Sequence, residues 1–454
     1  RNLFMMELLI GTLVTLAVGR YIFKGYSATG VLLSGGLLLL AITALMGKAV
    51  LPASVASTGH VATDVFEYVR FLLVDRGGGL GMLIMVLCGF AGYMSHIGAN
   101  TILVKLASKP LGIIKSPYIL LVAAYLVACA MSLAVSSATG LGVLLMATLF
   151  PLMVNMGISR GAAAAVCASP AAIILSPTSG DVVMAAQAAN MELIEFAFKL
   201  TLPISLTAIA AMAVTHFFWQ RYLDQKAGEH NAAVAPSDLV TDAPGFYAIL
   251  PFTPIIGVLL FDGKLGPKLD IVTIIVICLV LAALLELVRK RNGRELLDGL
   301  QVCWRNMADA FAGVVMLLVG AGVFAQGLMG LGFIANLLDL AQSFGTGGIV
   351  IMLVLVVITT LAAFTTGSGN APFYAFVELI PHLATSLGVN PAYLVIPMLQ
   401  ASNLGRTISP VSGVVVACAG MGNLSPFEVV KRTSMPVAVG LLVVILATQI
   451  LVPA

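Results

Sequence analysis

The chain has 454 residues, 60% of them hydrophobic and 9% charged, with 23 lysines and arginines against 20 acids for a net charge of +3. A soluble domain carries roughly a quarter of its residues as charges, so the composition excludes an ordinary soluble enzyme and describes an all-α polytopic membrane protein. So small a net charge is no footprint for nucleic acid.

The first apolar run, 3–19, is followed by Arg20 and Lys24 instead of a small-residue cleavage site, and is read as a retained span. Spans follow at 28–46 and 79–98, with 60–76 an interfacial amphipathic helix before the third and 99–115 a short connecting arm after it. The apolar stretch 117–156 is interrupted by Ser136-Ser137-Ala138-Thr139-Gly140 and reads as a helical hairpin that returns the chain to its starting side. A broken helix, 160–190, with its break at Ser176 to Gly180, leads to a span at 202–219. Residues 220–245 are the one soluble linker, carrying Asp224, Lys226, Glu229, His230, Pro236 and Asp238.

The second part repeats the plan. Spans are expected at 246–261, 270–288 and 308–331, with an interfacial helix over 291–306 and an arm over 334–345. A second hairpin, 347–386, is interrupted by Thr366-Gly367-Ser368-Gly369-Asn370, and a second broken helix, 392–420, by the polar run from Ser402 to Gly413. A final span covers 435–453. The expectation is ten crossings and two hairpins, with no extramembrane domain.

A shift of 233 residues lays Ser169 on Ser402, Ser176-Pro177 on Ser409-Pro410 and Ser179-Gly180 on Ser412-Gly413, then carries Asn190 to Asn423 and Glu195 to Glu428 without a gap. Residues 1–219 and 246–454 therefore read as internal repeats, each with a hairpin and a broken helix. Five crossings per repeat is odd, so the second repeat is inverted relative to the first. Charge placement agrees: with both termini outside, fifteen lysines and arginines fall in inside loops, among them Arg160, Arg289 and Arg432, and seven outside.

Breaking a helix in lipid exposes N–H ends that suit anions and carbonyl ends that suit cations. The breaks here are rich in hydroxyls and amides: Ser136, Ser137, Thr139, Ser176, Thr178 and Ser179 in the first repeat. The second supplies Thr366, Ser368, Asn370, Ser402, Asn403, Thr407, Ser409 and Ser412. Any one of them alone reads as helix packing or capping; clustering at four matched breaks points to a substrate site.

The repeats differ where Arg406 faces Ile173 and Asp181 faces Val414. A guanidinium fits a carboxylate bidentately, so Arg406 is assigned to one carboxylate of an anionic substrate, with hydroxyls, amides and helix N-termini for the second and no second buried arginine available. The alternative is that Arg406 snorkels to an interface or closes a structural ion pair. Asp181 has two readings, a site for a coupling ion or proton and a partner that neutralises Arg406 in the empty site. His96 and Asn100, at the end of the third span, read as interfacial or as lining a path, and Glu378 and His382 as a pair at i and i+4.

Six scattered cysteines without a Cys-x-x-Cys pair call for no disulfide or metal, and no cofactor is called for. No His-Glu-x-x-His or Gly-x-Gly-Asp is present, and the five histidines lie away from the breaks, which speaks against an intramembrane enzyme. A cation/proton antiporter or an amino-acid carrier with an Asp and an Arg at broken helices remains an alternative cargo class.

The runs Ser136 to Gly142, Ala168-Ser169-Pro170, Ser176 to Asp181, Thr366 to Pro372 and Gln400 to Thr407 resemble the DcuC family of anaerobic C4-dicarboxylate carriers, within a superfamily of elevator-type anion carriers. The resemblance implies a bacterial inner-membrane carrier of succinate, fumarate or malate, chiefly a succinate exporter. It also implies a homodimer in which hairpins and broken helices slide past a scaffold of the remaining spans. Sodium-coupled relatives carry Ser-Asn-Thr at the hairpin tips. Here the tips read Ser-Ser-Ala-Thr and Ser-Gly-Asn, a departure that speaks against sodium coupling; the candidate coupling ions are H+ and Na+.

Overall fold

The computed structural model describes residues 2–24, 26–227, 241–261, 263, 266–333, 336 and 347–453, and among these every regular element is a helix. The middle of the expected linker, 228–240, and the expected arm 334–345 apart from Asn336 lie outside the described residues.

Eight described helices are long and apolar enough to cross a bilayer, nine if the bent pair Val61–Gly78 and Leu80–His96 is one span. Three of the ten expected crossings are assembled from shorter pieces: the two expected broken helices, as Arg160–Ala168 with Gly180–Ala188 and Pro391–Thr407 with Gly413–Gly422, and also Gly245–Phe252 with Thr253–Leu260. Two of the long helices are hairpin arms, Ala138–Asn155 and Gly347–Thr366. The other arm of the first hairpin, Pro117–Met131, has 15 residues, about 22 Å of rise against a hydrocarbon core of about 30 Å, so it cannot cross alone.

Each of the two expected interfacial helices leads directly into the span that follows it. Val61–Gly78 meets Leu80–His96 at a 44° bend at Gly79. Gly293–Ala310 runs through a π-turn, Phe311–Val315, into Met316–Leu331. That continuous helix of 39 residues is about 58 Å long. Its first half, with Arg294, Glu295, Asp298 and Arg305, therefore has length to spare outside the hydrocarbon.

Packing divides the helices into two groups. In one, Ala28–Leu45 lies along Met316–Leu331 and Leu80–His96 along Gly293–Ala310. In the other, Gly347–Thr366 lies along Pro391–Thr407, and Leu202–Ala227 along Pro426–Leu451, together with both hairpins and both broken helices. Small residues set these approaches. A Cβ at Gly36 would stand 2.5 Å from the Phe324 nitrogen, so the first pair of helices touches backbone to backbone there. The outward faces are apolar: Val276, Val280, Leu284 and Val288 on Ile271–Lys290 are exposed, as a surface solvated by lipid requires.

The 233-residue correspondence extends to backbone geometry. Asn190 and Asn423 both adopt the left-handed conformation, at φ 52° and 51°, a helix end that asparagine tolerates. The Met191 and Leu424 amides then donate back to Ala186 and Ala419 at 3.0 and 2.8 Å. The Ser179 and Ser412 amides donate to the Ser176 and Ser409 carbonyls, each at 3.2 Å.

Candidate functional site

The breaks form where the sequence removes backbone donors. Pro170 and Pro177 bracket the first, each lacking a backbone N–H; between them Ile173 is extended at φ −112°, ψ 122°. Backbone groups freed at membrane depth need partners. Gln400 supplies them, accepting from the Ile174 amide at 2.9 Å and donating to the Ile174 carbonyl at 3.2 Å, while Ser205 donates to the same carbonyl at 3.0 Å. The second broken helix thus splints the first, and the splinting glutamine was legible in sequence only as part of a family-like run.

The second break is shorter than the polar run suggests. Helix continues from Pro391 to Thr407, so Ser402, Asn403, Arg406 and Thr407 are helical, and only Ile408 to Ser412 separate the two halves.

A cavity of about 840 Å³ lies where the breaks meet the helices Leu80–His96, Ala99–Ser108 and Gly293–Ala310. Nine of the expected site residues line it: Ser136, Ser137 and Thr139 from the first hairpin, Thr178, Ser179 and Asp181 from the first broken helix, and Asn370, Asn403 and Arg406 from the second repeat. Three helix N-termini, at Ala138, Gly180 and Asn370, open on it. Ser137, Ser179 and Ser368 cap them, accepting from the amides of Gly140, Val182 and Ala371 at 3.1, 3.3 and 3.2 Å. The remaining first-turn amides lend the cavity a partial positive character.

The other expected ligands do not reach the cavity lining. Thr366 and Thr407 donate to the carbonyls four residues back, Ala362 at 2.7 Å and Asn403 at 2.9 Å. Ser402 donates to Leu399 at 2.9 Å, and Ser176 pairs with Thr178 at 3.1 Å. Ser368 caps its helix, Ser409 accepts from the Val411 amide at 3.4 Å, and the buried Ser412 hydroxyl has no partner. These positions serve the backbone of the breaks.

Arg406 is the cation of the cavity. Its Nη2 donates to the Ala171 carbonyl at 2.8 Å, its Nε has no partner, and among the described residues it forms no ion pair. It therefore closes no direct ion pair, with Asp181 or with another described carboxylate. The Asp181 carboxylate accepts from Tyr374 Oη at 2.7 Å and from Asn403 Nδ2 at 3.5 Å. Gly369, at the second hairpin tip, leaves room for this arrangement: a Cβ there would stand 2.6 Å from Asn403 Oδ1 and 3.2 Å from Arg406 Nη1.

Three further expectations change. His96 and Asn100 line the cavity, so one of the five histidines does approach the breaks. Glu378 pairs with Arg76 at 2.8 Å instead of with His382. A second buried arginine exists: Arg432 is 1% exposed, but Asp224 at 2.6 Å and Glu428 at 2.8 Å neutralise it. Tyr374, to which no role is assigned from sequence, lines the cavity and bonds to Asp181.

Comparison with known proteins places this geometry. The DcuC profile, described as C4-dicarboxylate anaerobic carrier, matches residues 6–453. The chain is 70% identical to the anaerobic C4-dicarboxylate transporter DcuC of Escherichia coli K12 over 98% of this chain and 97% of that one. It is 62% identical to the probable DcuC of Vibrio cholerae over 99% and 98%. In structure it resembles the YdaH transporter of Alcanivorax borkumensis, with a TM-score of 0.60 at 18% identity over 93% of this chain and 97% of that one. It also resembles MtrF of Neisseria gonorrhoeae, described within a class of antimetabolite efflux pumps, at 0.56 and 14% over 93% and 94%. These last two likenesses concern the fold alone; the sequence matches run nearly end to end, and by them the chain belongs to the DcuC family of C4-dicarboxylate anaerobic carriers.

Proposed function

We propose that the chain is a secondary carrier that moves succinate, fumarate or malate across the bacterial inner membrane by efflux or exchange, and that Arg406 holds one substrate carboxylate. The observation that carries this reading is a guanidinium without an ion pair, with a free Nε, facing a cavity where three helix N-termini converge. A carboxylate suits such a donor set, since charge-assisted bonds to a planar fork are the strongest available to it. The second carboxylate meets Ser137, Thr139 and Asn370 around those N-termini. Asp181 is the group in this cavity fitted to carry a coupling H+ or Na+.

The proposed topology is two inverted repeats with both termini periplasmic. Ties between loop ends fit it. Lys48 with Glu7, Gln326 with Val50 and Lys268 with Glu192 fall on one side, and Arg432 with Asp224, Arg160 with Gly422 and Arg289 with Asp242 on the other. The two packing groups suit an elevator motion within a homodimer, the group that holds both hairpins moving and carrying the spans 202–227 and 426–451 with it.

The test is radiolabelled succinate flux in proteoliposomes, with and without internal fumarate, under sodium and pH gradients imposed separately. Native flux that is lost in Arg406→Ala and responds to one gradient supports the carrier and names its ion. No native flux under any gradient overturns the dicarboxylate reading, and flux insensitive to Arg406→Lys and Arg406→Ala favours another cargo.

A further inference from the structure

Two opposite charges, Asp181 and Arg406, line one cavity, and no ion pair joins them. In a site of low dielectric their attraction is strong, so their separation needs a cause. Each is held by something else. Arg406 Nη2 is drawn to the Ala171 carbonyl at 2.8 Å, at the end of the first half of the first broken helix. Asp181, in the first turn of Gly180–Ala188, receives the Tyr374 hydroxyl at 2.7 Å and the Asn403 amide at 3.5 Å.

The tyrosine comes from a different element, the second hairpin helix Asn370–Val377. Its ring is 1% exposed, and Asp181 is 4% exposed. The approach is built for contact: Gly180 faces Tyr374, and a Cβ there would stand 3.0 Å from the tyrosine oxygen. Of the two donors to Asp181 the hydroxyl is much the closer, and the Asn403 amide also donates to the Leu399 carbonyl at 3.1 Å. The hold on Asp181 therefore depends chiefly on one oxygen atom.

We infer that Tyr374 is a positioning residue whose hydroxyl keeps Asp181 off Arg406, so that the guanidinium stays free for a substrate carboxylate. The inference rests on the dicarboxylate reading of this cavity and names what sets the carrier's affinity. Without the hydroxyl, the Asp181 carboxylate is free to turn to Arg406, the guanidinium that lines the same cavity. An internal carboxylate on a short tether acts at a high effective concentration, so the substrate then has to displace it. Affinity falls.

The test uses full-length protein and reads succinate binding by calorimetry alongside exchange in proteoliposomes. Tyr374→Phe keeps the ring and removes the donor. It is expected to weaken binding and raise KM roughly tenfold or more, as the loss of a hydrogen bond to a charged group does. The decisive arm is Tyr374→Phe with Asp181→Asn, which leaves no carboxylate to compete. Binding is expected to return to within about threefold of native. Binding is read apart from flux because an Asp181 that carries the coupling ion loses flux on amidation for its own reason.

Tyr374→Phe that binds like the native chain overturns the inference, and so does weak binding that Asp181→Asn does not relieve, since a ring that only packs gives that result. In both cases native succinate binding leaves the carrier reading standing. A native chain that binds no C4-dicarboxylate overturns both.

Discussion

Arg432 and Asp224 form an ion pair of 2.6 Å that ties the end of Leu202–Ala227 to the start of Pro426–Leu451. The guanidinium is buried, and its remaining donors reach Glu428 at 2.8 Å and Gln220 at 3.4 Å. Ser159 joins Asp224 at 2.5 Å from the adjoining helix start, so three helix ends meet on one carboxylate. Gly161 leaves the space: a Cβ there would stand 2.4 Å from Arg432 Nε.

Removing one partner of a buried pair strands the other charge, which costs about 3–5 kcal/mol. Arg432→Ala is expected to lower the melting temperature in detergent strongly. Arg432→Lys, which keeps the charge but not the fork, is expected to fall between the two. A melting point unmoved by Arg432→Ala would show that the cluster contributes nothing to stability.

Arg406 predicts the opposite pattern. It has no ion pair to lose, so Arg406→Ala should leave the melting temperature within a few degrees of native. Dicarboxylate flux at subsaturating substrate should fall at least about thirtyfold, the effect of truncating one member of a buried charge pair. Measuring both in one preparation separates binding from folding.

Gly369 and Gly36 separate site from scaffold. Gly369→Ala pushes a Cβ toward Asn403 Oδ1 and Arg406 Nη1, and is expected to raise KM severalfold with little change in melting. Gly36→Ala meets main-chain atoms of Phe324 at 2.5–2.8 Å. It should destabilise by about 1–3 kcal/mol as the two helices are forced apart.

The Arg76–Glu378 pair, 2.8 Å long, joins Val61–Gly78 to the second hairpin, and so bridges the two packing groups. If those groups move against each other, breaking it should change the balance of conformations. Glu378→Gln is expected to shift the ratio of inward to outward succinate KM by roughly fivefold, the lower end of the usual coupling range. An unchanged ratio would make the pair a static brace.

Sidedness is checked by single cysteines in a background with Cys88 replaced, since that residue lines the cavity. Cysteines at Lys109 and Arg291 should react with an impermeant maleimide from the cytoplasmic side only. One at Gly59 should react from the periplasmic side only.

Much of this architecture is local chemistry and was legible as such. Serine, proline and glycine at 176–180 and 409–413 break a helix wherever they fall, and the repeat puts Asn190 and Asn423 in one left-handed conformation. The roles of individual hydroxyls were not legible. A threonine that bonds back to its own helix, as Thr407 does to Asn403, and one that lines a cavity, as Thr139 does, are the same residue type in similar polar runs.

The sequence by itself determined an all-helical membrane protein with repeated breaks and one arginine among them, because hydropathy, proline and residue identity act within a few positions of the chain. Tertiary structure decided which charges pair. Glu378 finds Arg76 across 302 residues, Arg432 finds Asp224 across 208, and Tyr374 reaches Asp181 across 193. No periodicity encodes such distances. Whether a buried arginine is a structural tie or a free cation depends on the carboxylate that folding brings beside it.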